Sequence, residues 1–170
     1  MTTSTYIFDS ALVLLVLLQI RERKLTTRLL VQPLLILGVA VATYFQTIPT
    51  AGNDLLLIAA IGLIGATIGI ASGFSAIMRR REDGTVTTRA GWTSAFFWVL
   101  GMGSRFAFAI WIAHGGAASI ASFSAQNSIT GAGAWTDALL LMAVGEVVGR
   151  TLVQGARWRR LEGAPALSLA

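Results

Sequence analysis

The sequence predicts an all-α integral membrane bundle of five transmembrane helices, with the N-terminus outside and the C-terminus cytoplasmic. Three observations carry this. Of the 170 residues, 55% are hydrophobic and only 12% are charged, about half the charged share of a soluble domain. The polar residues are gathered into short blocks between long apolar runs, as in polytopic helical membrane proteins. Most of the 13 Lys and Arg fall in three clusters: Arg21, Arg23, Lys24 and Arg28; Arg79, Arg80, Arg81 and Arg89; Arg157, Arg159 and Arg160. With five spans, all three clusters lie on the cytoplasmic side and the outer loops hold no Lys or Arg, which is positive-inside topology. The length allows a single transmembrane domain over residues 1–170 and no second one.

The first span is residues 5–20. It is short, and Asp9 lies in its outer half, so a full crossing of about 20 residues also draws on the Thr/Ser-rich start. Met1–Thr5 lacks the basic n-region of a signal peptide, and Arg21-Glu22-Arg23-Lys24 follows the apolar run where a cleavage site would need small residues. The segment therefore reads as a retained span. Thr26 or Thr27 is suited to cap the second span, residues 29–48. Pro33 either marks the beginning of that helix or frees a carbonyl in its first turns. Pro49 and Gly52-Asn53-Asp54 make an outer turn, with Asn53 or Asp54 as N-cap of the third span, residues 55–78.

The third span carries Gly62, Gly65, Gly69 and Gly73, spaced three and four residues apart on one helix face. A phosphate-binding glycine loop needs a strand before it and a Lys or helix N-terminus after it. Here the glycines sit inside an unbroken apolar helix, and the stripe predicts close packing against another helix, of this chain or of a second copy. Residues 79–89 form the second inner loop, with a turn, and a small hairpin, at Asp83-Gly84. The fourth span is residues 92–114. An uncharged outer loop, 115–134, follows, with a short interfacial helix over 118–125 that turns Ile120 and Phe123 to lipid. The fifth span is residues 135–153, capped by Thr136 or Asp137. The tail, 157–170, is expected to fray. Trp92 and Trp158 at the inner boundary and Trp111 and Trp135 at the outer one fit aromatic belts.

Two arginines escape the clusters. Arg105 lies in the fourth span, and Arg150 in the fifth, one turn from Glu146. At about 1.5 Å per helical residue, Arg105 is about 20 Å above the inner end of its span. Glu146 is about 16 Å below the outer end of its own, and Asp9 about 18 Å above Arg21. In a hydrocarbon core about 30 Å thick, these three charges share one stratum. Charge at that depth is tolerated only when paired or facing a cavity. Asp9, Arg105, Glu146 and Arg150 therefore form either a buried charge network that holds helices in register, the preferred reading, or a transport site. In the second case Glu146 relays a proton or cation, or Arg105 receives an anion.

Other chemistries find little footing. The chain has no cysteine, which excludes disulfides and thiolate chemistry of its own. The single histidine, His114, lacks companion ligands at metal spacing and reads as a loop anchor. No serine sits in a nucleophile elbow with a nearby base. No catalytic residues, metal or cofactor are expected. A net charge of +5 and a pI near 11.1 would suggest nucleic acid in a soluble protein. Clusters at the ends of spans point instead to anionic lipid headgroups.

Gly65-x-x-x-Gly69-x-x-x-Gly73, the basic residues after it, Glu82-Asp83-Gly84-x-Val86, and a span with Trp98 and Arg105 give residues 55–114 a likeness. In these the chain resembles the CcdC-like bacterial polytopic membrane proteins. The resemblance implies a multi-pass protein of the bacterial inner membrane. The family name evokes cytochrome c biogenesis and thiol–disulfide exchange, in which a chain without cysteine takes no direct part. The expected function is a small non-enzymatic membrane protein, a structural or accessory component that packs through its Gly-rich helix against a second copy or another membrane protein. The alternative is a small transporter or ion or proton pathway built on the charge network. The expected surroundings are the lipid bilayer, without nucleic acid.

Overall fold

The structure is a computed structural model that describes residues 23–44 and 51–163. The expected first span, with Asp9, and the last residues of the tail lie outside them. Among the described residues the order is β1 (Arg23–Lys24), α1 (Thr27–Tyr44), α2 (Asp54–Ser75), β2 (Ile77–Arg80), β3 (Val86–Arg89), α3 (Trp92–Trp111), a π-helical turn (Ile112–Gly116), α4 (Ala117–Gln126) and α5 (Ala132–Gly163). Among the described residues, three helical stretches are long and apolar enough to cross a membrane: Asp54–Ser75, Trp92–Gln126 and Ala132–Gly163. Helix α1 is apolar but shorter. Leu35, Ile36, Val39, Leu56, Leu63 and Phe106 lie exposed on the outer faces of these helices. Such a surface would drive aggregation in water and suits hydrocarbon.

Helices α2 and α5 form the spine. A Cβ on Gly65 would fall on the backbone carbonyl of Met142, and one on Gly69 on that of Glu146. At Gly62 it would press on Leu141, and at Gly73 on Val153, so the whole stripe is spent on α5. The contact is reciprocal. Gly145 faces the carbonyl of Gly62 and the backbone of Ala66, and Gly149 faces the carbonyl of Ala66 and Ile70. Two helices lacking side chains at their crossing approach backbone to backbone, which maximises dispersion contact where no water is available to be released.

Both ends of the spine are tied. At one end Asp54, fully buried, accepts hydrogen bonds from the Thr130 amide at 2.8 Å and from the Thr130 hydroxyl. Asn53 holds the cap position of α2, but its side chain makes no capping bond. Its amide donates instead to the Asn127 carbonyl at 2.9 Å. At the other end Arg157 donates to the carbonyls of Gly73 (2.8 Å), Phe74 (3.0 Å) and Ala76 (2.8 Å). These are last-turn carbonyls that no intrahelical donor reaches.

Several boundaries differ from expectation. Helix α2 stops at Ser75, and Ile77 and Met78 enter β2, because Arg157 satisfies the terminal carbonyls and β2 finds a partner in β3. Helix α5 starts at Ala132, so Thr136 and Asp137 are interior; the Thr136 hydroxyl donates back to the Ala132 carbonyl. It runs on through Arg157–Arg160 to Gly163, where fraying was expected, because Arg157 is anchored on α2. Helix α1 begins at Thr27, ahead of Pro33, so the proline sits inside the helix and removes one donor from its ladder. Thr26 stands before it, its hydroxyl accepting from the Leu29 amide at 3.4 Å. The fourth apolar run does not end in a loop at 115. His114 and Gly115 leave helical geometry, Gly115 with φ +108°, and the chain resumes as α4. His114 Nδ1 lies 2.9 Å from the Ile110 carbonyl at that bulge.

The hairpin around Asp83-Gly84 is present as β2–β3, and β1 adds to its free edge, giving the antiparallel order β1-β3-β2. Arg23 pairs with Thr88 and Lys24 with Thr87. This sheet joins the first two basic clusters, and Arg157 of the third reaches the chain just before β2, so all three gather at one end of the bundle.

Candidate functional site

Adjacent residues on a helix differ by about 100° in direction. On α5, therefore, Gly145 and Gly149 can face α2 while the side chains of Glu146 and Arg150 point about 100° away from that contact. There α1 and α3 flank α5 without packing closely on each other. The space left between them is a cavity of about 670 Å³.

Its walls divide by chemistry. Leu29, Pro33 and Ile36 of α1 and Trp98 and Met102 of α3 are apolar. The α5 floor carries Glu146, Arg150, Thr151 and Gln154, with Gln32 of α1 and Arg105 of α3 joining them. Arg105 Nη1 stands 3.2 Å from Glu146 Oε2, with the two side chains 20% and 10% exposed. Among the described residues neither of these atoms has a hydrogen bond of good geometry, so the contact there is an ion pair whose bonding capacity is not used up. Gly101 makes the approach feasible: a Cβ there would lie inside the Glu146 carboxylate. Arg150 feels the charge of Glu146, yet among the described residues no carboxylate lies within ion-pair distance of it. The described part of the site thus holds two guanidiniums and one carboxylate.

Of the four charged residues singled out from the sequence, Arg105, Glu146 and Arg150 meet at this cavity, and Asp9 lies outside the described residues. Gly62, Gly65, Gly69 and Gly73 lie on the other face of α5, away from the cavity. The sequence reading overlooked the answering pair Gly145-x-x-x-Gly149, although its spacing is the same small-residue signal. Gln32 and Gln154, from two different helices, share this one space, and Gly101 is the clearance for Glu146; neither relation is visible in the sequence. Among the described residues no three His, Asp or Glu side chains gather in a metal-binding group.

Comparison with protein-family models, with curated proteins and with solved structures finds no match for this chain. The class that fold and site define is a helical protein suited to a membrane, with a charged cavity between apolar helices.

Proposed function

We propose that this is a small, non-enzymatic, multi-pass membrane protein that acts as a transporter or ion pathway, with Arg105, Glu146 and Arg150 as its central site. The cavity of about 670 Å³ that reaches the Arg105–Glu146 pair carries this reading. A purely structural ion pair has no need of open space beside it, whereas binding pockets for small molecules run from about 300 to 1,000 Å³. Ionisable residues at mid-membrane that face a cavity mark solute and proton routes. The reading as a structural or accessory component, docking on a second copy or another protein through the glycine stripe, loses its motive. That face is filled by α5 of the same chain.

We further propose five spans in a bacterial inner membrane, N-terminus outside, with the β-sheet and the basic clusters on the cytoplasmic side. Convergence of the three clusters at one end supports the placement. The test is flux into liposomes loaded with pH- and chloride-sensitive dyes, under imposed gradients, for wild type and Glu146→Gln. The expected result is wild-type flux above protein-free liposomes and at least a tenfold loss in the variant. Wild-type flux equal to protein-free liposomes for protons, chloride and an anionic amphiphile overturns the transport reading.

A further inference from the structure

We propose that the cavity binds an anionic amphiphile, its acidic head on Arg150 and its apolar body against α1 and α3. This deepens the reading of the cavity as a binding site and rests on it.

The charge selects the head. Arg105 has a counter-ion in Glu146, and Arg150 has none of its own among the described residues. A cation entering the cavity meets two guanidiniums against one carboxylate and is repelled. An oxyanion completes the pairing, and in surroundings of low dielectric the gain is large. Guanidinium is the side chain best matched to a phosphate or carboxylate, through two parallel hydrogen bonds. Gln154, one turn further along α5 and buried, and Gln32 across the cavity add amide donors of neutral charge.

The walls select the body. A bare inorganic anion would have no use for Pro33, Ile36, Trp98 and Met102. Ile36 and Met102, both cavity residues, are also 65% and 51% exposed, so the cavity continues sideways onto the apolar outer surface. In a bilayer an acyl chain can enter by that side with its head drawn toward Arg150, about one turn nearer the basic end than Glu146. Two sources share this chemistry: an anionic phospholipid of the bilayer and a free fatty-acid-like or alkyl-phosphate solute.

Native mass spectrometry of the full chain in neutral detergent tests the proposal, with dodecyl phosphate, dodecanol and dodecyltrimethylammonium as probes. The expected result is one dodecyl phosphate per chain, bound at least tenfold tighter than the other two. Arg150→Gln removes the preference and Arg150→Lys retains much of it, with melting temperatures in the same detergent showing that both fold. Should Arg150→Gln fail to fold, the headgroup series on wild type and Arg150→Lys still decides. Phosphatidylglycerol bound with the same Arg150 dependence identifies the bilayer as source; dodecyl phosphate bound without phosphatidylglycerol identifies a free solute, and both support the proposal. Equal binding of all three probes overturns it, as does an anion preference unchanged in Arg150→Gln. So does displacement of dodecyl phosphate by inorganic phosphate at equal concentration. Binding that appears only in Asp9→Asn also overturns it, because the chain's own carboxylate would then hold the place. A chain that binds the amphiphile but carries no flux defeats the transport reading alone, and Glu146-dependent flux without headgroup preference defeats this proposal alone.

Discussion

Arg105 on α3 and Glu146 on α5 meet at 3.2 Å only because Gly101, one turn before Arg105, leaves the carboxylate its room. The pair is two charges in an apolar setting, and removing one member leaves the other uncompensated, which costs about 3–5 kcal/mol when burial is complete. Both side chains here retain some exposure, so Glu146→Gln is expected to lower stability by about 2 kcal/mol. Thermal melting in detergent measures this, and Arg105→Gln combined with Glu146→Gln should recover part of the loss. Gly101→Ala should act in the same direction by displacing the carboxylate. A melting temperature equal to wild type for both single variants removes the ion pair from the account.

Gly69→Ala should destabilise the protein by about 2 kcal/mol or more, because the added methyl meets the Glu146 carbonyl on a backbone that cannot yield. Alanine's better helix propensity, about 1 kcal/mol, is too small to offset that. Gly38→Ala on α1 is the control: nothing lies within 4 Å of its Cβ position, and it should be neutral or stabilising by up to about 1 kcal/mol. Melting of the two variants side by side decides whether collision or propensity governs.

Arg157→Gln should fray the C-terminal end of α2. One guanidinium nitrogen, with two N–H groups, is shared among three carbonyls, those of Gly73, Phe74 and Ala76, and a hydrogen bond involving a charged group contributes about 1.5–3 kcal/mol net of exchange with water. Faster amide exchange in residues 71–75, the last turn of α2, in the variant than in wild type, with residues 58–63 unchanged, is the expected signature. Uniform exchange rates would argue against a local cap.

The hairpin has its own pH dependence. The hydroxyl and the amide of Thr85 donate to Asp83 Oδ1, the amide at 3.0 Å, and hold this carboxyl below its ordinary value. A carboxyl with a depressed folded-state pKa contributes at and above its ordinary value of about 3.9. The contribution disappears as pH falls through the lower folded value. NMR titration should find Asp83 below the usual Asp range in wild type and closer to it in Thr85→Val, which loses the hydroxyl and keeps the amide. Because Asp83 is fully exposed, the effect on global stability should be small.

The sequence made the helical class and the meeting of Arg105 with Glu146 legible for one reason each. Apolar runs long enough to cross a bilayer admit few folds, and charges at equal depth in hydrocarbon have to find one another. It also showed that the glycine stripe would be buried, but not by what, since a small-residue face fits any neighbour of similar smoothness. What it hid were relations between distant segments. Nothing local in Arg23-Lys24 announces a strand; the pairing exists because β3 offers an open edge. Arg157 read as one more cytoplasmic charge, and only the folded chain shows it closing α2. The cavity was hidden for the same reason, being the space between α1 and α3 and no property of either.

The absence of cysteine from the chain makes the most direct test clean. Ala143 and Val147 line the cavity, while Leu63 and Leu152 lie on the exposed apolar faces of α2 and α5. Each is replaced singly by Cys and treated in proteoliposomes with a charged, membrane-impermeant methanethiosulfonate. The account predicts modification at Ala143→Cys and Val147→Cys and none at Leu63→Cys or Leu152→Cys. Cavity positions as unreactive as the lipid-facing ones would mean that Arg105 and Glu146 form a dry structural pair, and would contradict it.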